Sequence, residues 1–465
     1  MNRLNIDRDI TEIVVDSRKV TPGATFVALR GTVSDGHDYI EQAIAAGATT
    51  VVSENQVEVS QDVQLCVVQD SHLTFQNLCR DYYNNPFADM TVTAITGTNG
   101  KTTVSYFLEA IFQEALYATA VMGTINYRVR SEILCVEQQT TPSPLELFTY
   151  GEKMRDRGVQ YLVVEASSHG LKQGRLQGID VKGALFTNLT HDHLDYHETF
   201  EDYKQSKKSL FDPLRSDAIA VLNGEDSYWR EMIEDCSACV YTYGFNSTFD
   251  LSCQNWDKYQ CELCLPDGSM LTMATPLIGR HNIMNMMAAV TLAIGYEIEP
   301  GVIVRAMNNF SHVPGRLQKI SESPDRHIFV DYAHTSDALE HVLQTLKYEF
   351  QTPLWLVFGC GGDRDRAKRS LMSKIAESYA DHIYVTTDNS RSESFEQIIA
   401  DIQKGFSNAS SVHYIQSRKQ AIQEVMKRAK QGDCILVAGK GHETYQEVHG
   451  QSYLHDDVAV IRSCL

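Results

Sequence analysis

Short apolar runs alternate with longer stretches of helical periodicity, and most of the apolar runs stop abruptly in polar sequence. EIVVDS, TFVAL, TTVVSE and LCVVQD read as strands, with IEQAIAAGA between them as a helix. They predict a small α/β unit over residues 1–88. A second unit, 89–313, opens with TVTAITGTNGKTTVSYFLEAIF, which reads as strand, glycine loop and helix. YLVVEAS, GALFTNL and AIAVLNGED follow as strands with polar ends. HNIMNMMAAVTLAIGYEI, residues 281–298, is helical, and its methionine stripe fits core packing.

A third unit, 314–465, begins near VPGRLQ. Four of its apolar runs end in polar sequence: HIFV before DYAHT, LWLVF before GCGGDRD, HIYV before TTDNSR, and CILVA before GKGHE. Alternation with helical stretches such as DALEHVLQTLKYEF predicts a mostly parallel sheet. Ligands of such sheets bind beyond the carboxyl ends of the strands. All four polar endings then fall on one edge and converge on one site.

Composition narrows the partners. A chain of 465 residues predicts two to four domains, and 43% hydrophobic residues suffice for several cores. The net charge of −19 argues against broad binding to nucleic acid or anionic membranes. Any anionic ligand must be held by local groups: helix N-termini, Lys, Arg or metal ions. MNRLNIDRDITEIVVDSRKV has no apolar core of signal-peptide length, and runs such as LWLVF are too short to span a bilayer. The 11 cysteines are scattered and odd in number, which reads as reduced thiols of a cytoplasmic protein. There is no low-complexity tract and no clear repeat.

GTNGKTT, residues 97–103, lies between strand and helix, the setting of a phosphate loop. Its N–H groups can wrap phosphate oxygens, Lys101 can neutralise the outer phosphates, and Thr102 offers a hydroxyl to Mg²⁺. The usual first glycine of such loops is replaced by Ile95. Glu165, ending YLVVE, is a second oxygen ligand for that hard cation. THDHLDYH, residues 190–197, adds three His and two Asp, open to Mg²⁺, to zinc, or to a plain solvated loop. Cys236-x-x-Cys239 and Cys261-x-x-Cys264 approach zinc-ribbon spacing, but KYQCELCLPDGSMLTM reads as a hairpin whose two cysteines face opposite ways.

Taken together, GTNGKTT, ASSHGLKQGR, TNLTHDHLDYH, GRHNIMN, VPGRLQ, DYAHT, GCGGDRD and AGKGHE resemble the motifs of the Mur ligase family. They occur in family order over nearly the whole chain. The resemblance implies an α/β architecture of three domains: a small N-terminal α/β domain for the UDP end, a central P-loop ATPase-like domain, and a Rossmann-like C-terminal domain for the incoming amino acid. It implies cofactors ATP and Mg²⁺, an acyl-phosphate intermediate and a cytoplasmic monomer. The implied nucleotide contacts are Gly97, Thr98, Asn99, Gly100, Lys101, Thr102, Thr103, Asn282, Arg316 and Asp331. Thr102, Glu165 and His193 would surround the magnesium ions. Lys207 matches the family lysine that becomes carbamylated and so turns from cation to oxygen ligand; Lys208 is the alternative if the match slips by one. Lys101, Glu165, His193 and Lys207 are then the catalytic set.

For the UDP-N-acetylmuramoyl-L-alanyl-D-glutamate substrate, the resemblance points to Val15, Ser17, Thr32, Val33 and Ser34. It adds Gln139, Thr140, Thr141, Ser167, Gln173 and Arg175; Gln139 stands where some relatives have Asn. Members that add meso-diaminopimelate typically carry Asp-Asn-Pro-Arg at the end of the HIYV strand, and those that add L-lysine usually lack the Arg. This chain has Asp388-Asn389-Ser390-Arg391. Arg369, Gly439 and Glu443 complete the implied diaminopimelate contacts. A bidentate Arg–carboxylate pair is the strong way to read the distal carboxylate that distinguishes diaminopimelate from lysine. Two unpaired arginines would also be out of place in a lysine site. The alternatives are the same ligation with lysine, or a folylpolyglutamate synthetase-like ligation.

Overall fold

The computed structural model describes residues 10–31, 34–136, 139–190, 196–275, 277–320 and 325–465. Three main sheets follow one another along the chain. The first has four parallel strands, Ile13–Val14, Thr25–Val27, Thr50–Ser53 and Gln64–Val67, side by side in sequence order. Phe26 and Val51 face one side with Ile40 and Ala43, while Val27 and Val52 face the other and join the core of the next unit.

The central sheet has eleven strands. Thr91–Thr96 lies at its heart, parallel to Tyr161–Glu165 on one side and to Val181–Phe186 on the other. Successive side chains point to opposite faces, so each strand feeds two cores. Ile95, Val163 and Leu185 pack under helices Lys101–Glu114 and Arg280–Gly295. Ala94, Val164 and Phe186 pack on the other face with Phe148 of helix Pro144–Asp156 and Phe75 of helix Ser71–Tyr82. The methionine stripe is core: Met286 and Met287 are 1% and 0% exposed.

The cysteine-rich hairpin forms as the sequence suggests, with Gln260–Cys264 antiparallel to Met270–Ala274. Cys261 is buried and Cys264 only partly so. Among the described residues no three His, Cys, Asp or Glu side chains are gathered to hold a metal.

The third sheet runs Gln318–Lys319, His327–Asp331, Cys434–Ala438, Leu354–Phe358, His382–Val385, His413–Tyr414. All but the first are parallel. The four polar endings therefore share one edge, which faces the phosphate loop of the central sheet. A separate hairpin, Tyr445–Val448 with Gln451–Leu454, stands beside that edge.

Candidate active site

The phosphate loop leaves strand Thr91–Thr96 and turns into helix Lys101–Glu114 through Gly100, whose φ of 91° suits glycine. A Cβ there would also collide with Asn285 of the long helix packed behind it. Across the loop, Thr187 and Asn188 at the end of the neighbouring strand pin Asn99: Thr187 Oγ1 donates to its carbonyl at 2.6 Å and Asn188 Oδ1 accepts its N–H at 2.9 Å. Lys101 Nζ folds over the loop onto the carbonyls of Gly97 and Thr98, at 2.8 and 3.0 Å. The N–H groups of the helix start and this ammonium make one positive concavity.

Glu165 ends the adjacent strand, 1% exposed. Its Oε2 accepts from the hydroxyls of Thr102 and Thr124, both at 2.9 Å, and Oε1 accepts from Thr124 N–H. Two hydroxyls and a carboxylate form an all-oxygen donor set, which fits a hard divalent cation such as Mg²⁺. Thr124 was not singled out from the sequence; its signal is the polar end of strand Thr119–Met122.

Lys207 and Lys208 are both buried, at 1% and 6% exposure, on helix Phe200–Lys208, but their surroundings differ. Lys208 pairs with Asp212 and Asp235, each at 2.6 Å. Lys207 instead lies over an aromatic ring, its Nζ 4.5 Å from the centre of Tyr203. The Tyr203 hydroxyl lies 2.9 Å from Thr98 of the phosphate loop. The expected ligand His193 lies outside the described residues, as do Thr32 and Val33.

A second group adjoins Glu165. Thr141 Oγ1 donates to the Glu165 carbonyl at 2.7 Å and accepts from Ser167 N–H at 2.9 Å; Thr140 meets Thr124 at 3.1 Å. Arg175 is held by the Gln173 amide oxygen at 2.7 Å and also reaches Gln139 and the Thr141 carbonyl. Gln139, Thr140, Thr141, Ser167, Gln173 and Arg175 are thus brought together. Ser17 bonds Gln42 of helix Ile40–Ala45 within the first unit, while Val15 and Ser34 are exposed there. Among the described residues no direct hydrogen bond ties these three to the Arg175 group. The first unit reaches it instead through Gln76, whose amide donates to the Gly174 carbonyl.

The third sheet closes the cleft. A cavity of about 420 Å³ is lined by the phosphate loop on one wall and by Arg316, Asp331 and the DYAHT segment on the other, with Asn282 and Asn285 at its end. Asp331 is tied to the N–H groups of Leu317 and Ala333. Burial holds its carboxyl above the ordinary value despite nearby Arg316. The Arg316 guanidinium lies over the Tyr332 ring at 4.6 Å and reaches Thr102 at 3.4 Å. Asn99 crosses between the units to Asp337 at 3.0 Å. Asp337 has no local sequence signal that would have marked it, whereas the cavity-lining His281 sits inside GRHNIMN beside Asn282.

At the selector edge, Asn389 is the hub. Its amide donates to Glu443 Oε2 at 2.9 Å, and its oxygen accepts from Lys440 Nζ at 2.9 Å. Lys440, fully buried, also pairs with Glu443 at 2.7 Å. Sequence reading passed over this lysine although it sits inside AGKGHE. Asp388 is buried, which by itself would raise its pKa, but Lys440 and Arg418 hold the carboxyl below the ordinary value. Gly439, at φ 111°, lets the chain pass: a Cβ would stand 2.7 Å from Asp388 Oδ2.

The two arginines depart from expectation. Arg369 is fully buried; it pairs with Glu393 at 2.6 Å and Asp401 at 3.1 Å, and donates to the Gly361 carbonyl. Arg391 pairs with Glu447 at 3.1 Å. Neither is uncompensated, because folding brings carboxylates from distant parts of the chain to both. Unpaired charge therefore gives no argument against lysine, and Arg369 supports the Gly361 turn through its hydrogen bond to that carbonyl.

Comparison with known proteins agrees along the whole length. Residues 9–83 match a model described as Mur ligase family, catalytic domain; residues 95–293 match Mur ligase middle domain; residues 315–441 match Mur ligase, glutamate ligase domain. The chain is 39% identical to UDP-N-acetylmuramoyl-L-alanyl-D-glutamate–2,6-diaminopimelate ligase of Bacillus licheniformis, covering 99% of this chain and 95% of that one. It is 36% identical to the protein of the same name from Chlorobaculum tepidum, covering 98% and 92%. A solved structure of a ligase with that name superposes with a TM-score of 0.72 at 34% identity, over 100% of this chain and 96% of the other. Folylpolyglutamate synthase of Mycobacterium tuberculosis shares the fold, with a TM-score of 0.64 at 18% identity over 79% of this chain and 92% of its own. The chain belongs to the Mur ligase family.

Proposed function

We propose that the protein is an ATP-dependent amide-forming ligase that joins meso-2,6-diaminopimelate to UDP-N-acetylmuramoyl-L-alanyl-D-glutamate, a step of peptidoglycan precursor synthesis. One observation carries the reading. A single cleft has the phosphate loop and Thr124, both bonded to Glu165 behind them, on one wall, and the Arg316–Asp331 edge on the other. The Asp388–Arg391 selector ends a strand on that same sheet edge. The full-length relatives carry this activity in their names, and the amino-acid choice rests on them and on Arg391. No helix among the described residues is long and apolar enough to cross a membrane. The reading places the enzyme in the cytoplasm, as a monomer.

The chemistry follows from the walls. A carboxylate is a poor electrophile because oxide is a poor leaving group. The substrate carboxylate takes the terminal phosphoryl group of ATP, with ADP leaving, and becomes an acyl phosphate. The amino group of diaminopimelate then attacks the carbonyl carbon, and the tetrahedral intermediate expels phosphate as the amine proton is lost. Lys101 and the helix N-terminus hold the phosphate charge. Thr102, Thr124 and Glu165, with Lys207 as its carbamate, would hold Mg²⁺, which supplies charge neutralisation for the transferring phosphoryl group. The Arg175 group orients the sugar-dipeptide, and Arg391 reads the distal carboxylate. Bringing three substrates into one cleft is itself a large entropic contribution.

The test is phosphate release with UDP-N-acetylmuramoyl-dipeptide, ATP and a panel of amino acids. Diaminopimelate is expected to be preferred, and Arg391→Ala to lower its kcat/KM by about a hundredfold while leaving lysine unchanged. Preference of the wild-type protein for lysine would sink the reading of the selector. Turnover with folate in place of the UDP substrate would overturn the assignment of the acceptor substrate.

A further inference from the structure

We propose that Glu447 is a positioning residue for amino-acid selection, aiming Arg391 at the distal carboxylate and taking over the stiffening role of the missing proline at 390. The inference rests on the diaminopimelate reading. It begins with the backbone. Arg391 has φ of 50°, the left-handed region that costs a non-glycine residue energy unless its surroundings impose it. A proline at 390 would fix one torsion of this turn; Ser390 leaves it free.

The hairpin strand Tyr445–Val448 supplies the restraint from outside. Arg391 N–H donates to the Glu447 carbonyl at 3.1 Å, and the Arg391 carbonyl accepts from His449 N–H at 2.7 Å. Arg391 and Val448 form an isolated parallel bridge. Glu447 N–H donates to Asn389 Oδ1 at 2.9 Å, two residues up the selector. Backbone and side chain of one residue thus touch both Asn389 and Arg391.

The side chain completes the arrangement. Glu447 Oε2 accepts Arg391 Nε at 3.1 Å, and the Gly362 carbonyl accepts Nη1 at 2.8 Å. A guanidinium has five N–H donors, so three are left, one on Nη1 and two on Nη2, and one from each nitrogen can line the terminal Nη1–Nη2 edge. That edge can receive a carboxylate through two parallel hydrogen bonds. With its Nε side and one Nη1 proton held, the side chain keeps little rotamer freedom to lose on binding. The opposite role is also physically conceivable: a carboxylate on Arg391 could compete with the substrate. The two roles predict shifts of opposite sign.

Glu447→Ala is expected to raise KM for diaminopimelate about tenfold, the worth of one hydrogen bond to a charged group. KM for ATP, the slow rate with lysine and the thermal midpoint should stay at wild-type values. Glu447→Gln keeps an acceptor for Nε and is expected to stay within about threefold of wild type. An unchanged or lowered KM for diaminopimelate in Glu447→Ala would overturn the proposal, as would equal losses with ATP and lysine. Failure of the substrate reading is separable, because it appears in the wild-type amino-acid panel before any variant is made.

Discussion

The Asn99 amide donates to the Asp337 carboxylate at 3.0 Å, joining the phosphate loop directly to the first turn of helix Ser336–Phe350 in the third unit. The same carboxylate oxygen accepts from Thr190 at 3.4 Å. The nucleotide cavity therefore has its two walls linked at the phosphate end. Asp337→Ala should raise KM for ATP about fivefold, the value of one such hydrogen bond, and widen the solution scattering profile. Unchanged KM together with an unchanged profile would show that the contact does not hold the cleft closed.

Glu165 gathers the hydroxyls of Thr102 and Thr124 at 2.9 Å each. Glu165→Gln keeps the shape and removes the charge. The Mg²⁺ concentration for half-maximal rate should rise, and kcat should fall by about a hundredfold, as for loss of one charged group at a transferring phosphoryl. Rate measured against Mg²⁺ concentration is the check; an unaltered Mg²⁺ curve would remove Glu165 from the metal site.

The two buried lysines of helix Phe200–Lys208 should behave differently. Lys208 is engaged by Asp212 and Asp235. Lys207→Ala is expected to lose activity by about a hundredfold and to regain part of it with formate or acetate, whose oxygens replace those of a carbamate. Lys208→Ala should keep kcat within about twofold, because its partners Asp212 and Asp235 are exposed carboxylates. Full activity of Lys207→Ala would dismiss the carbamate.

Acid should weaken the third unit through Glu393. Hydrogen bonds from Arg369, opposed by partial burial and aided by Asp363 N–H, hold its carboxyl at about 2 against the ordinary 4.5. A depressed pKa means the contribution is complete above about 4.5 and is lost as pH falls towards 2. Urea unfolding across that window should show a falling midpoint in the wild type. In Glu393→Gln the midpoint should start lower at neutral pH and fall less; an identical acid slope in both would exclude this pair as the cause.

The site was legible wherever a strand end or a loop carries its own chemistry. GTNGKTT names its strand, its glycine turn and its lysine locally, and the end of YLVVE marks Glu165 in the same way. Thr124 and Lys440 were within reach of the same logic, one at a strand end and one inside a quoted motif. Asp337 and Glu447 were not, because each matters only through a residue more than fifty positions away. The guess of unpaired arginines failed for that reason too: Arg369 meets Asp401 across 32 positions and Arg391 meets Glu447 across 56.

By itself, then, the sequence determined the three α/β units, the parallel order that puts the polar endings on one edge, the phosphate loop and the family. These depend on periodicity and on contacts within a few residues, which the chain encodes locally. Only the tertiary structure decided which of two adjacent lysines is paired with Asp212 and Asp235, which arginine is fully buried, and what holds Arg391 in a left-handed turn beside Ser390. A charged side chain takes its role from its partners, and those partners come from elements that meet only when the sheets pack.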